Sequence, residues 1–182
     1  MRATHPGEAR EPMSFLQWLQ DSSLGQLIAS SSWANLILLC FHALGMSVLV
    51  GVLWMLSLRT LGLFRGLPFE AFRPLMGLAW LGFFINAVSG VLMFTGAGPR
   101  FIINTDFQLK MLMIALGGLS VLVLRRTLRP VWPQAAPLDV AVRASALTSV
   151  GAKTAALLCL LFWLAVILFG RQIAYTLARP VH

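Results

Sequence analysis

Four apolar runs, each about as long as a bilayer crossing, decide most of what this chain can become. They cover residues 33–58, 74–95, 107–124 and 153–175. A helix of about 20 residues spans the hydrocarbon core, whereas an open strand there leaves its backbone N–H and C=O groups without partners. Each run is therefore expected to be a transmembrane helix. The glycines inside the runs fit that state, because small residues let membrane helices approach closely. Composition closes off the soluble alternative. Hydrophobic residues make up 58% of the 182 and charged residues 11%, whereas a soluble domain carries about 25% charged residues. One water-facing core of this size has no room for the excess apolar surface. The expected architecture is all-α, an integral membrane four-helix bundle in the lipid bilayer, forming a single domain over residues 14–182.

A weaker pattern precedes the first span. Phe15, Leu16, Leu19, Leu24, Leu27 and Ile28 recur at roughly helical spacing with polar residues between them. That predicts an N-terminal interfacial amphipathic helix with Trp18 at headgroup depth. Ser30, Ser31 and Ser32 then interrupt the pattern and offer a cap for the first span. Residues 1–13 are polar and irregular, so a disordered tail is expected there, without the apolar core of a cleavable signal peptide and with Met13 as an alternative start. Cys40 and Cys159 both fall inside apolar runs, where a free thiol behaves as a small hydrophobe.

The net charge of +8 comes mainly from arginines that flank the apolar runs. They form no patch interleaved with stacking aromatics, which argues against nucleic acid. Arg59, Arg65 and Arg73 lie between the first two spans, and Arg125, Arg126, Arg129 and Arg143 between the last two, with Lys153 at the edge. Fewer cations fall on the other side. The positive-inside rule then places both of these loops in the cytoplasm and both termini outside. The segment from Arg125 to Ala152 contains Pro130, Pro133 and Pro137 and reads as a stiff connection.

His42 is the centre of the functional case. It lies about nine residues into the first span, roughly 13 Å deep at about 1.5 Å per residue. An imidazole at that depth needs a partner, so an intramembrane His is a functional candidate by default. Gly45, one turn away, is expected to leave flat space for a macrocycle or for a close helix contact. Two readings stay open: a ligand or proton-handling His, or a packing His hydrogen-bonded to Asn86 or Ser89. Asn86 in the first case would fix the imidazole tautomer. Gly82, Asn86 and Gly90 form a small, polar stripe along the second span, expected to be a close-packing seam. Gly117 and Gly118 are assigned the same role in the third.

Cations form a second group. Lys110 opens the third span, Arg171 ends the fourth, and Arg100 is nearby. An i,i+4 pair between Asp106 and Lys110 is available if the helix starts early enough. Otherwise these cations anchor helix ends or hold an anion. Arg59 and Lys153 are expected near one another at the opposite end. No span contains a carboxylate, which argues against a carboxylate proton relay, and no HExxH, GxSxG or phosphate loop is present.

The ordered set Phe41-His42-Ala43-Leu44-Gly45, Gly51, Leu58-Arg59-Thr60-Leu61-Gly62, Lys110, Ala152-Lys153, Trp163 and Gly170-Arg171-Gln172-Ile173-Ala174-Tyr175 resembles a bacterial four-span membrane family of unknown function. The resemblance runs over nearly the whole chain from Ser14 and implies the bacterial inner membrane. A looser likeness, resting on the first-span His and the basic residue opening a later span, is to the bacterial membrane-bound protoporphyrinogen oxidases. The D-type copper-resistance proteins share the first-span His. The loops and the segment after the third span depart from the oxidase pattern. On this likeness His42 becomes an axial ligand to haem b. His5 and His182, the other two histidines, lie in the tails. The second ligand is therefore Met93, Met113, water, an open position or a group from another copy. Each methionine also reads as core filler. Lys110 or Arg171 is then expected near the propionates. The leading expectation is membrane electron transfer between the quinone pool and a partner on the outer face. A non-redox anchoring subunit, in complex or as a homo-oligomer, competes with it. A small-solute or metal-ion permease comes third, since coupled transporters usually carry more spans and broken helices.

Overall fold

The computed structural model describes residues 11–64, 66–129 and 149–178. Among these the chain is helical throughout, with α1 (Glu11–Asp21), α2 (Ser23–Ser30), α3 (Ser32–Leu61), α4 (Phe72–Ile102), α5 (Thr105–Thr127) and α6 (Val150–Ala178). A single 3₁₀ turn, Phe69–Ala71, leads into α4. Residues 1–10 of the tail expected over 1–13, and most of the proline-containing connection, lie outside the described residues, while residues 11–13 belong to α1.

The helices α3 to α6 are all long and apolar enough to cross a membrane. No more than 33% of the most apolar stretch of any of them is buried inside the protein. The remainder, including Trp33, Leu36, Phe41, Trp80, Phe84 and Val91, faces outward. Only a hydrocarbon solvent accepts that much exposed apolar surface, so the chain is a multi-pass membrane bundle. Each helix runs beyond its apolar stretch because polar and aromatic residues continue the backbone hydrogen bonding into the interface.

Local signals set the helix ends. Ser31 caps α3 by accepting from the Ala34 N–H at 3.2 Å, and Asn104 caps α5 by accepting from Phe107 N–H at 3.0 Å. At the other end of α3, Gly62 adopts φ 103°, a left-handed C-cap that a residue with a Cβ resists. The amphipathic N-terminal segment is two helices where the sequence suggested one. Ser22 separates them, capping α2 by accepting from Gly25 N–H at 3.1 Å. Both helices lie on α4. Ile28 packs where Gly96 leaves space, and Leu16 packs at Gly98. Between those two glycines Ala97 leaves helical geometry (φ −151°, ψ 27°), with Pro99 two residues on. Proline contributes no N–H and crowds the preceding turn, which accounts for the kink.

The bundle consists of two tightly packed pairs, α3 with α4 and α5 with α6, joined chiefly through α3 and α6. At the α3–α4 seam a Cβ on Gly45 would lie 2.6 Å from Asn86 N and one on Gly82 would lie 2.8 Å from Gly45 O. The two backbones touch there. In the middle of the bundle Leu49, Val50, Leu53, Ala79, Trp163 and Val166 form the core. Below it, Leu56, Phe69, Phe72, Leu124 and Ala156 close the end that carries Arg59, Arg125 and Arg126. Cys159 is fully buried in the central core, near Ser57 of α3 and Ser120 of α5.

Candidate functional site

The α3–α4 seam brings His42 onto Asn86. Imidazole Nδ1 lies 3.0 Å from the Asn86 carbonyl oxygen and 3.2 Å from Ser89 Oγ. A carbonyl only accepts, so Nδ1 carries the proton and donates it. Ser89 Oγ donates to the Ile85 carbonyl at 2.7 Å, which leaves its lone pairs toward the imidazole. Asn86 returns the contact: its side-chain Nδ2 donates to the His42 carbonyl at 2.8 Å. The two residues are thus locked in both directions across the seam. Gly90, one turn beyond Asn86, lies against the ring, and a Cβ there would sit 3.1 Å from His42 Cε1.

With Nδ1 as donor, Nε2 presents a lone pair. Lys110 of α5 meets it, Nζ to Nε2, at 3.4 Å. Lys110 in turn lies on Gly170 of α6, where a Cβ would be 3.4 Å from Nζ and 3.6 Å from Cε. All four transmembrane helices contribute: α3 the imidazole, α4 its anchor, α5 the ammonium and α6 the bare backbone on which the lysine stem rests. No carboxylate accompanies Lys110 among the described residues. Asp106, one turn earlier in α5, makes no ion pair with it. A cation without a counter-charge and an imidazole lone pair therefore share one point of the bundle interior. Such a point suits a metal, an anion or a hydrogen-bonding carbonyl.

The expected site residues separate accordingly. His42, Asn86 and Lys110 come together. Gly45 belongs to the helix seam and opens no space beside the ring; Gly90 is the glycine that meets it. Met113 packs against the central hydrophobic core, and Met93 is half-buried on α4 without a polar contact to His42. Arg171 is exposed and turned to its own helix, donating to the Tyr175 hydroxyl at 3.2 Å with its guanidinium 5.3 Å from that ring's centroid. At the opposite end Arg59 is engaged with the segment leading into α4. Its Nε donates to the Leu67 carbonyl at 2.7 Å and its guanidinium lies 4.8 Å from the Phe69 ring centroid. Gly118 has open space where Gly117 packs on the Trp163 indole. His5 and His182 lie outside the described residues.

Above the pair, Phe107 of α5 stacks on Phe94 of α4 at 5.9 Å between centroids and touches Phe101 at 5.4 Å. Elsewhere α4 and α5 barely meet. The three rings are the main bridge between these helices.

The donor chemistry can be tested against the expected haem. The Asn86 carbonyl holds the imidazole in the tautomer whose Nε2 is free to ligate. His42 Nε2 and, as a neutral amine, Lys110 Nζ are the nitrogen donors that would hold a metal here. No group of three or more His, Cys, Asp and Glu side chains gathers among the described residues. The donor chemistry suits a group that brings its remaining ligands with it, while Gly45 and Gly90 both lie in contact and leave no flat space beside the imidazole.

Comparison with protein-family models, with curated proteins and with solved structures found no match.

Proposed function

We propose that the chain is a b-type-haem membrane protein that passes electrons between a quinone pool and a partner on the outer face of the bacterial inner membrane. The observation that carries this reading is an imidazole that the Asn86 carbonyl holds in the tautomer leaving the Nε2 lone pair inside the transmembrane bundle, with Lys110 Nζ 3.4 Å away. His42 would hold the iron. Lys110 would be a second nitrogen donor only as the neutral amine; as the ammonium it would be the counter-charge of a propionate. Haem supplies reversible one-electron chemistry at a potential set by its ligands and surroundings. The protein's part is to keep His42 in one tautomer through Asn86, to hold a positive charge near the group through Lys110, and to exclude water. The looser resemblance to haem-binding membrane proteins agrees with this reading. On the positive-inside rule, the basic loops support an orientation with the Arg59 and Arg126 end in the cytoplasm.

Purified protein expressed with ample haem should give one b-type haem per chain by pyridine haemochromogen titration. A chain that purifies folded with no haem under those conditions contradicts the proposal. The reciprocal His42–Asn86 lock supports one second reading, a non-redox subunit in which both residues specify helix packing within a larger complex. That reading predicts a colourless protein.

A further inference from the structure

A shallow groove runs between α5 and α6 on the lipid-facing side of the bundle, far from His42, with a volume of about 520 Å³. Leu116, Leu119 and Val123 form its α5 wall; Gly151, Leu158 and Phe162 belong to its α6 wall. The walls are mostly apolar, and the two lining hydroxyls are already donated, Ser120 to the Gly117 carbonyl at 2.6 Å and Thr154 to the Val150 carbonyl at 2.9 Å. Nothing in the groove invites a polar ligand. Its foot is different. The α5 stripe 116, 119, 123 continues at Arg126, in the last turn of the helix, beside Arg125. Thr127 reaches Gly151, a Cβ there being 4.0 Å from its Cγ2, so the two helices close against each other at this level. Lys153 sits in the first turn of α6, next to Thr154 of the groove. Arg125, Arg126 and Lys153 are exposed, and no carboxylate pairs with them among the described residues.

An apolar trough that ends at a rim of exposed cations, without a carboxylate partner among the described residues, is complementary to one class of molecule. We infer that this groove binds an anionic phospholipid of the adjoining leaflet, with an acyl chain lying between α5 and α6 and the phosphate at Arg126 and Lys153. The small residue Gly151 leaves room for the glycerol region, since nothing lies closer than 4.0 Å to a Cβ there. A neutral lipid fills the trough equally well but gains nothing from the rim. Each basic residue near an anionic headgroup is worth about a fivefold change in binding. This site stands apart from the haem reading and survives its failure.

The test is lipid retention. Protein taken from vesicles of equal parts phosphatidylglycerol and phosphatidylcholine into mild detergent is analysed by mass spectrometry of the intact complexes. The wild type should retain phosphatidylglycerol in preference. The double variant Arg126→Gln/Lys153→Gln should lose that preference by about fivefold for each charge removed. Gly151→Leu should reduce retention of both lipids, whereas Gly77→Leu, on open α4 surface, should not. Helix content by circular dichroism confirms that each variant is folded. Equal retention of the two lipids by the wild type overturns the inference. So does a preference that persists in the charge variant, or retention untouched by Gly151→Leu, which would reduce the rim to a diffuse surface charge.

Discussion

His42 and Lys110 are 68 positions apart, yet their side chains meet end to end. Neither is stable alone at this depth: an imidazole lacks partners in hydrocarbon and an ammonium lacks a counter-charge. Together they satisfy part of each other's hydrogen bonding, with the Asn86 carbonyl fixing which nitrogen donates. Replacing Asn86 by Ala removes the Nδ2 donation to the His42 carbonyl but leaves the backbone acceptor. Interhelical hydrogen bonds in membranes average about 0.6 kcal/mol and reach about 1.7. A loss in that range is expected in a detergent-unfolding titration, and a neutral Asn86→Ala would mean the lock does not hold the seam. Lys110→Met should leave haem bound through His42 while shifting its absorption bands, because a nitrogen donor is lost; an unmoved spectrum would confine Lys110 to pairing with anions. The sequence made His42 and Asn86 visible as polar groups in apolar runs. It hid their junction with Lys110, because a lysine near a helix start reads first as an anchor reaching for water. Gly170, which seats the lysine stem, gave no signal beyond being small.

At the scale of helices, glycine placement determines which pairs pack closely. Gly45 and Gly82 allow α3 and α4 to touch backbone to backbone, so a Cβ at either position forces the helices apart. Gly45→Val should cost about 1–3 kcal/mol by overpacking and should weaken the His42–Asn86 contacts. Gly51→Val, on the same helix with nothing within 4 Å, is the matched control and should change stability little. Equal effects at the two positions, read by thermal unfolding in detergent, would contradict the seam. The four spans were legible because hydropathy over about 20 residues needs no knowledge of partners. The break at Ser22 and the kink at Ala97 were not. Ser22 sits inside an otherwise amphipathic pattern, and Pro99, which accounts for the kink, lies beyond the 74–95 apolar run. Hydropathy alone records neither. Cys159 reads as a small hydrophobe in sequence, and the structure buries it in the central core.

The whole molecule has two unlike ends and one polar centre. Arg59, Arg125, Arg126 and Lys153 mark one end, while His42, Lys110 and the stacked Phe94, Phe101 and Phe107 lie toward the other. With the arginine end in the cytoplasm, a fluorescent protein fused after His182 should stay dark and a periplasm-active phosphatase fusion should be active; the reverse pattern would invert the proposed orientation. The proposed electron-transfer role depends above all on whether His42 holds a haem. The direct measurement is the visible spectrum of the purified protein, oxidised and dithionite-reduced, beside that of His42→Ala at matched helix content. A Soret band with sharpened bands on reduction in the wild type, abolished in His42→Ala, is the predicted result. A folded wild type without a Soret band, or a band unchanged by His42→Ala, would contradict it.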